Sequence, residues 1–264
     1  MKSIIFCDID GTIIDGSRDM HELSFKTRYA IDELKKDNYV FIASGRCKGL
    51  LDKAILDLNP SGFILCNGAY AEVDNKTIHS VYFDDDDINM VKKIVDDNDG
   101  FYILETLNET YVDSFTKEAF KVFLDGWGMA LDYFIEDPNP KEKLHISMIG
   151  FKDTKTNIEI IPLLKEYADV LPHPSYISSD VNIKGINKGV AVKKVIEYLN
   201  IPYENTYCFG DGINDLEMLE AVNHPVIMKN CDPKLRTYGF EETDDVLHDG
   251  FYNYLVNNKL IKPL

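Results

Sequence analysis

No stretch of apolar residues in this 264-residue chain approaches the roughly 20 needed to cross a bilayer. A basic patch is also missing. Twenty-eight Lys and Arg stand against 45 Asp and Glu, for a formal net charge of −17, and the basic residues are scattered. A surface this acidic repels nucleic acid and anionic membranes, so neither is expected as a partner. Cysteines at metal-binding spacing are absent too. Cys7, Cys47, Cys66, Cys208 and Cys231 are odd in number and widely spaced. That excludes a zinc knuckle and predicts small, buried, reduced thiols. There is no internal repeat and no low-complexity tract. The apolar stretch at the N-terminus is too short for a signal peptide and ends on Asp8, so a cytoplasmic location is expected.

What is present is enough apolar sequence for a sizeable core and one or two domains. Residues 3–7 form an apolar run without alternation, as a buried parallel strand does. Ser24 can cap a helix running to about Asp37, and a second such strand follows at 39–43. A helix over 47–58 and a third strand over 63–66 complete the first stretch. This alternation predicts a parallel sheet with helices on its faces. The rhythm then changes. Segments 69–73 and 77–83 read as a hairpin. Between 84 and 179 the pattern suggests helices at 88–97, 117–126 and 158–167, and strands at 101–105, 110–113, 144–150 and 176–178. The acidic run Asp84 to Asp87 reads as a solvated helix start, because four consecutive acids cannot all face one ion in a helix. After Ile186 the first rhythm returns, with a helix over 190–199 and strands at 206–209 and 225–228. The chain therefore reads as one α/β core, 1–82 with 186–264, interrupted by an α+β domain over 83–185.

Each expected core strand ends in polar residues. Asp8 and Asp10 follow the first, Ser44 the second, and Asp211 and Asp215 the strand at 206–209; Lys188 opens a helix. Ligands of open parallel sheets bind at the carboxyl ends of the strands, so these residues are expected to converge. Four carboxylates in one cleft stay ionised only if a cation joins them. An all-oxygen donor set suits Mg²⁺. The Ser44 hydroxyl, the Lys188 charge, the Asn214 amide and the N–H groups of Ile9, Asp10 and Gly45 suit a phosphate. Asp8 is ionised at neutral pH and needs no base to attack phosphorus, giving an acyl phosphate that water cleaves. Asp10 could protonate the leaving alkoxide and then take a proton from the attacking water. Gly11 permits the tight turn between them and the rest of the chain. Each motif alone is an ordinary turn, cap or exposed lysine. Their order, each after an apolar strand, carries the reading.

Asp8-Ile9-Asp10-Gly11-Thr12, Ser44-Gly45-Arg46, Lys188 within Asn187-Lys188-Gly189, and Gly210-Asp211-Gly212-Ile213-Asn214-Asp215 follow one another as the four motifs of the haloacid dehalogenase superfamily of phosphatases do. The chain most resembles the Cof-type subgroup, whose α/β cap is inserted after the third core strand. The resemblance implies a Rossmann-like core with a parallel sheet plus an inserted α+β cap. It implies Asp8 as nucleophile, Asp10 as acid/base, and Ser44, Lys188 and Asn214 on the phosphoryl group. It further implies Mg²⁺ held by the Asp8 carboxylate, the Asp10 carbonyl and Asp211, supported by Asp215. Asn67-Gly68-Ala69 resembles the turn leading to the cap, and Lys229 and Cys231 flank Asn230 where the subgroup carries small residues. In the cap, His145, Tyr111 and Trp127 are candidates to touch substrate, against the plainer reading as core or surface. The expected function is Mg²⁺-dependent hydrolysis of a small phosphorylated metabolite, such as a sugar phosphate, through an aspartyl-phosphate. The cap would close over it on hinges near 82–84 and 181–185. The alternatives are a phosphomutase on the same scaffold and a phosphate-binding regulatory module without turnover. A monomer or weak homodimer is expected.

Overall fold

Residues 2–127, 131–173 and 177–264 are described by the computed structural model. Among them the strands are, in chain order, β1 (Ile4–Cys7), β2 (Tyr39–Ala43), β3 (Gly62–Leu65), β4 (Tyr70–Val73), β5 (Lys76–Ser80), β6 (Phe101–Glu105), β7 (Thr110–Val112), β8 (Ile135–Glu136), β9 (His145–Gly150), β10 (Asp169–Pro172), β11 (Ser178–Asn182), β12 (Thr206–Gly210), β13 (His224–Ile227) and β14 (Glu241–Glu242). The α-helices are α1 (Phe25–Asp37), α2 (Lys53–Leu56), α3 (Asp85–Asp96), α4 (Glu118–Trp127), α5 (Thr154–Leu164), α6 (Lys188–Leu199), α7 (Leu216–Glu220) and α8 (Gly250–Asn257). The chain divides into two units. Met1–Ser44, Leu51–Ser80 and Asn187–Leu264 make the first; Gly45–Leu50 and Val81–Ile186 make the second. No helix among the described residues is long and apolar enough to cross a membrane.

The first unit is built on an eight-stranded sheet in the order β14-β13-β12-β1-β2-β3-β4-β5. Every residue of β1 is buried, and a strand with no polar face needs cover on both sides. It lies near the sheet centre, hydrogen-bonded in parallel to β2 along one edge and to β12 along the other. The hairpin β4–β5 continues the sheet antiparallel beyond β3. Ser24 caps α1, its Oγ accepting the Thr27 N–H at 3.0 Å, and the helix buries Ala30, Ile31 and Leu34. Asn187 caps α6 in the same way through the Val190 N–H, also at 3.0 Å. Gly189 then brings α6 against the backbone of α7, where a Cβ would collide with the Glu217 carbonyl. The α/β class and parallel core are as expected.

The helix expected over 47–58 shrinks to the single turn of α2. Gly49 interrupts the pattern, and residues 45–50 group with the second unit, where the Gly49 N–H donates to the Leu107 carbonyl at 3.2 Å and Cys47 Sγ lies 3.6 Å from Thr110 Oγ1. Helix α8, which the pattern does not predict, starts where Asp249 takes a left-handed φ of 58°. None of the five cysteines is in a disulfide, and all except the half-buried Cys66 are buried.

The second unit carries a six-stranded sheet in the order β10-β11-β9-β6-β7-β8. Its central strand β6 is apolar on both faces for a visible reason. Tyr102 and Leu104 pack with Val91, Val95, Ile160 and Leu164 from α3 and α5, while Phe101 and Ile103 pack with Ala119, Phe120 and Phe123 of α4. The acidic run is a helix start, as expected. Asp84 Oδ1 accepts the Asp86 N–H at 2.9 Å, and Asp85 to Asp87 lie in the first turn, where the helix dipole favours negative charge. Helix α5 begins earlier than the apolar pattern suggests because Asp153 caps it through the Thr156 N–H at 2.8 Å. The strand expected at 176–178 is displaced, since β11 begins at Ser178 and shares only that residue with it; Tyr176 lies outside the described residues. The short strands β8 and β10 have too little pattern to be predicted.

One buried group in this unit has a measurable consequence. Glu105 is 3% exposed, and its Oε2 has no hydrogen-bond partner among the described residues. Burial pushes its carboxyl up to about 8, with the Ser147 hydroxyl opposing and the Asp180 charge adding to the rise. The folded chain therefore keeps a proton that the unfolded chain releases near the ordinary carboxylate range, and stability falls as pH rises between the two. Glu105→Gln removes that titration. We expect its stability relative to wild type to improve from pH 5 to pH 8, on the order of 2 kcal/mol, measured by denaturant unfolding. A gap that stays constant with pH would refute a proton-bearing Glu105.

Candidate active site

The order of the first sheet decides what meets. Because β1 lies between β2 and β12, the residues leaving their carboxyl ends are neighbours. Asp8 follows β1, Ser44 follows β2 and Asp211 follows β12. Asp8 is buried, and its backbone N–H donates to the Phe209 carbonyl at 3.0 Å, continuing the ladder past the strand end. Lys188, the first residue of α6, is 1% exposed. Its Nζ donates to Asp8 Oδ1 at 2.6 Å and to Asp215 Oδ1 at 2.7 Å. The other oxygen of Asp215 accepts the N–H groups of Asp211 and Gly212, each at 3.0 Å. One carboxylate thus fixes both the lysine and the loop that carries Asp211.

Two features of the first loop hold Asp211 from the opposite side. The Thr12 hydroxyl donates to Asp211 Oδ1 at 3.1 Å. Gly11, at φ +83°, lies so close that a Cβ would collide with the Asp211 carboxylate, so the position requires glycine for both space and conformation. Carboxylate oxygens of Asp8, Asp211 and Asp215 lie within 4.8 Å of one another.

The electrostatics follow from this crowding. Burial, reinforced by the Asp215 charge, pushes the Asp8 carboxyl up to about 7 although Lys188 opposes it. Burial and the charges of Asp8 and Asp215 push Asp211 up to about 9. Burial alone would lower Lys188, but Asp215 and Asp8 outweigh it and hold the ammonium charged. Fully ionised, the three carboxylates would exceed the one ammonium by two negative charges. A divalent cation on oxygen donors matches that excess in charge and in chemistry, so the residues present fit Mg²⁺.

The remaining expected residues divide. Ser44 is buried beside Asp8's strand, its N–H bonded to the Ile64 carbonyl and its carbonyl to the Asn67 N–H. Asn214 Nδ2 donates to Asn67 Oδ1 at 3.3 Å. Ile9 is fully buried, and its carbonyl accepts the N–H groups of Thr12, Ile13 and Ile14. The chain turns immediately after Ile9, and Asp10 is exposed; it is not one of the three residues whose oxygens lie within 4.8 Å, but its charge still adds to the rise at Asp8. Gly45 groups with the second unit. Of the candidates in that unit, His145 is buried with its ring stacked 5.0 Å from that of Tyr82, and burial pushes its imidazole down to about 4. Tyr111 is a core residue whose hydroxyl donates to Glu109. The Trp127 side chain lies outside the described residues.

Sequence reasoning assigned no role to Thr12 and read Asn67-Gly68 only as a turn. Yet Gly68, at φ +94°, presses on the Asn187 carbonyl, directly before Lys188. An Asn-Gly pair after an apolar strand was the available signal; its target 119 residues away was not.

The model of the haloacid dehalogenase-like hydrolase family matches residues 5–255. The chain belongs to this family. This hydrolase is 31% identical over 254 residues to YkrA of Bacillus subtilis (strain 168), provisionally named a phosphatase, covering 94% of this chain and 95% of that protein. It is 25% identical over 266 residues to YitU of the same organism, a 5-amino-6-(5-phospho-D-ribitylamino)uracil phosphatase, with 96% of each covered. In fold it is similar to the solved subclass IIB sugar phosphatase BT4131 of the same superfamily, with a TM-score of 0.82 at 21% identity over 99% of this chain and 100% of that one. The family and the α/β fold with its inserted unit are those that the four motifs implied.

Proposed function

We propose that this hydrolase is a Mg²⁺-dependent phosphatase acting on a small phosphorylated metabolite, a sugar phosphate or related monoester, through an aspartyl-phosphate on Asp8. The observation that carries the reading is the Asp8 carboxylate. One oxygen is held by the fully buried Lys188, and among the described residues the other carries no hydrogen bond. A carboxylate so oriented is a nucleophile that needs no base. The names of the two Bacillus relatives support the phosphatase class, and the phosphorylated ribityl group in one of them supports a small, hydroxyl-rich substrate.

In the proposed reaction an Asp8 oxygen forms a bond to phosphorus as the bond to the leaving oxygen breaks. Asp10, whose side chain is exposed, protonates the departing alkoxide. Asp10 then takes a proton from the water that cleaves the acyl phosphate, which restores Asp8 and releases phosphate. Lys188 offsets the charge on the phosphoryl oxygens, and Ser44 and Asn214 donate to them. Mg²⁺ bound by Asp8, the Asp10 carbonyl and Asp211, with Asp215 behind, would supply further charge stabilisation.

The test is release of inorganic phosphate from a panel of sugar phosphates and other monoesters, with Mg²⁺ and with a chelator. We expect release with Mg²⁺ and a loss of at least about 100-fold on chelation. Isomerised sugar phosphate without free phosphate would show a mutase instead. Silence across the panel would overturn the enzyme reading of this site.

A further inference from the structure

Asn230 lies in the loop after β13 and uses both ends of its amide on distant backbone. Its Nδ2 donates to the Gly11 carbonyl at 2.7 Å, and its Oδ1 accepts the Val246 N–H at 3.1 Å. A carbonyl can only accept and an N–H can only donate, so the amide has one orientation and an isosteric apolar side chain could satisfy neither partner. The same loop also grips the fourth-motif strand. The Met228 N–H donates to the Gly210 carbonyl at 3.1 Å, and the Asp232 N–H donates to the Asp211 carbonyl at 2.8 Å. One short loop therefore holds the backbone of Gly11 and the backbone of Asp211. These are the two segments whose carboxylates crowd together, and they already touch through Thr12 and Gly11.

We infer that Asn230 is a positioning residue that fixes the separation of the Asp8–Gly11 loop from Asp211, and so sets the affinity of the carboxylate cluster for a divalent cation. The inference rests on the reading that this cluster binds Mg²⁺. Without the amide, the Gly11 carbonyl loses its side-chain tether while the Asp211 carbonyl keeps its own, so the two halves of the site are no longer held by one element. Groups that orient metal ligands in this way are worth roughly 10- to 100-fold in affinity.

The experiment is a calorimetric titration of Mg²⁺ into the substrate-free protein, with melting of the same samples. The variants are Asn230→Leu and Asn230→Ala, so that either one reports should the other not fold. The control is Arg18→Met. Arg18 also ties the first loop to the 245–249 segment, through Asp15 at 2.6 Å and Asp245 at 2.9 Å, but it does not touch Gly11. We expect both Asn230 variants to bind Mg²⁺ about 10- to 100-fold more weakly, and Arg18→Met to bind it as wild type does. Wild-type affinity in a folded Asn230 variant overturns the inference, as does equal weakening in Arg18→Met, which would mark a general loss of stability. If the wild type hydrolyses esters and binds Mg²⁺ while the variants are unchanged, only this inference falls. If the wild type binds no Mg²⁺, the metal reading falls and the inference with it.

Discussion

Asp8→Asn should fold as wild type does and turn over at less than about one ten-thousandth of its rate, the scale expected when a nucleophile is removed. The substitution keeps the shape of the side chain and an acceptor for the Lys188 ammonium, which in wild type lies 2.6 Å from Asp8 Oδ1. A neutral amide offers no oxygen nucleophile for phosphorus, so the acyl phosphate cannot form. Stability should not suffer. Asp8 is a buried carboxylate whose pKa is raised by burial and by the Asp215 charge, so its ionised form is held at a cost in the metal-free protein. Removing the charge lowers the repulsion within the Asp8, Asp211 and Asp215 cluster. We therefore expect the metal-free variant to melt at or above the wild-type temperature. Phosphate release on the best substrate and thermal melting followed by circular dichroism measure the two halves. Normal turnover would sink the nucleophile assignment, and a lower melting point would contradict the electrostatic account.

Lys188→Met has the opposite signature, a large loss of stability. Lys188 is the buried counter-charge to Asp8 and Asp215, at 2.6 and 2.7 Å. Methionine fills similar space and leaves both carboxylates without their cation. Removing one partner of a buried ion pair costs about 3–5 kcal/mol because the charge left behind has no solvent. The loss should depend on pH in a definite direction. Without the ammonium, nothing opposes the burial and the Asp215 charge that raise the Asp8 carboxyl, so it titrates still further above its value in the unfolded chain. The folded variant then binds more protons than the unfolded one above the ordinary carboxylate range, so its stability falls as pH rises. Denaturant unfolding without Mg²⁺ should show a larger deficit at pH 8 than at pH 5, and added Mg²⁺ should recover part of it. A deficit under about 1 kcal/mol at pH 8 would mean that Lys188 is not the principal counter-charge of this cluster.

How much of this was legible beforehand depended on how local the physics was. The apolar runs of β1 and β2 announce buried strands without reference to the rest of the chain, and Ser24 and Asp84 announce helix starts within three residues. Asp8, Ser44 and Asp211 were visible as strand-end residues for the same reason, since each stands immediately after such a run, and Lys188 because Asn187 caps the helix it opens. By contrast, α8 and the two-residue β8 and β14 carry little pattern and form because neighbours hold them. Residues 47–50 read as the start of a core helix, yet the Gly49 N–H is bonded to the Leu107 carbonyl. Asp10 stands two residues after Asp8, and the turn after Ile9 leaves it exposed while its charge still reaches Asp8.

The sequence by itself determined the α/β core, the inserted unit, the family and the identity of the residues at the ends of the core strands, because strand periodicity, helix caps and motif order are properties of short segments. Only the tertiary structure decided that Lys188 joins Asp8, 180 residues away, to Asp215, and that Asn230 reaches Gly11 across 219 residues. Those contacts depend on which strands become neighbours in the sheet, and that choice is made by packing the whole core at once.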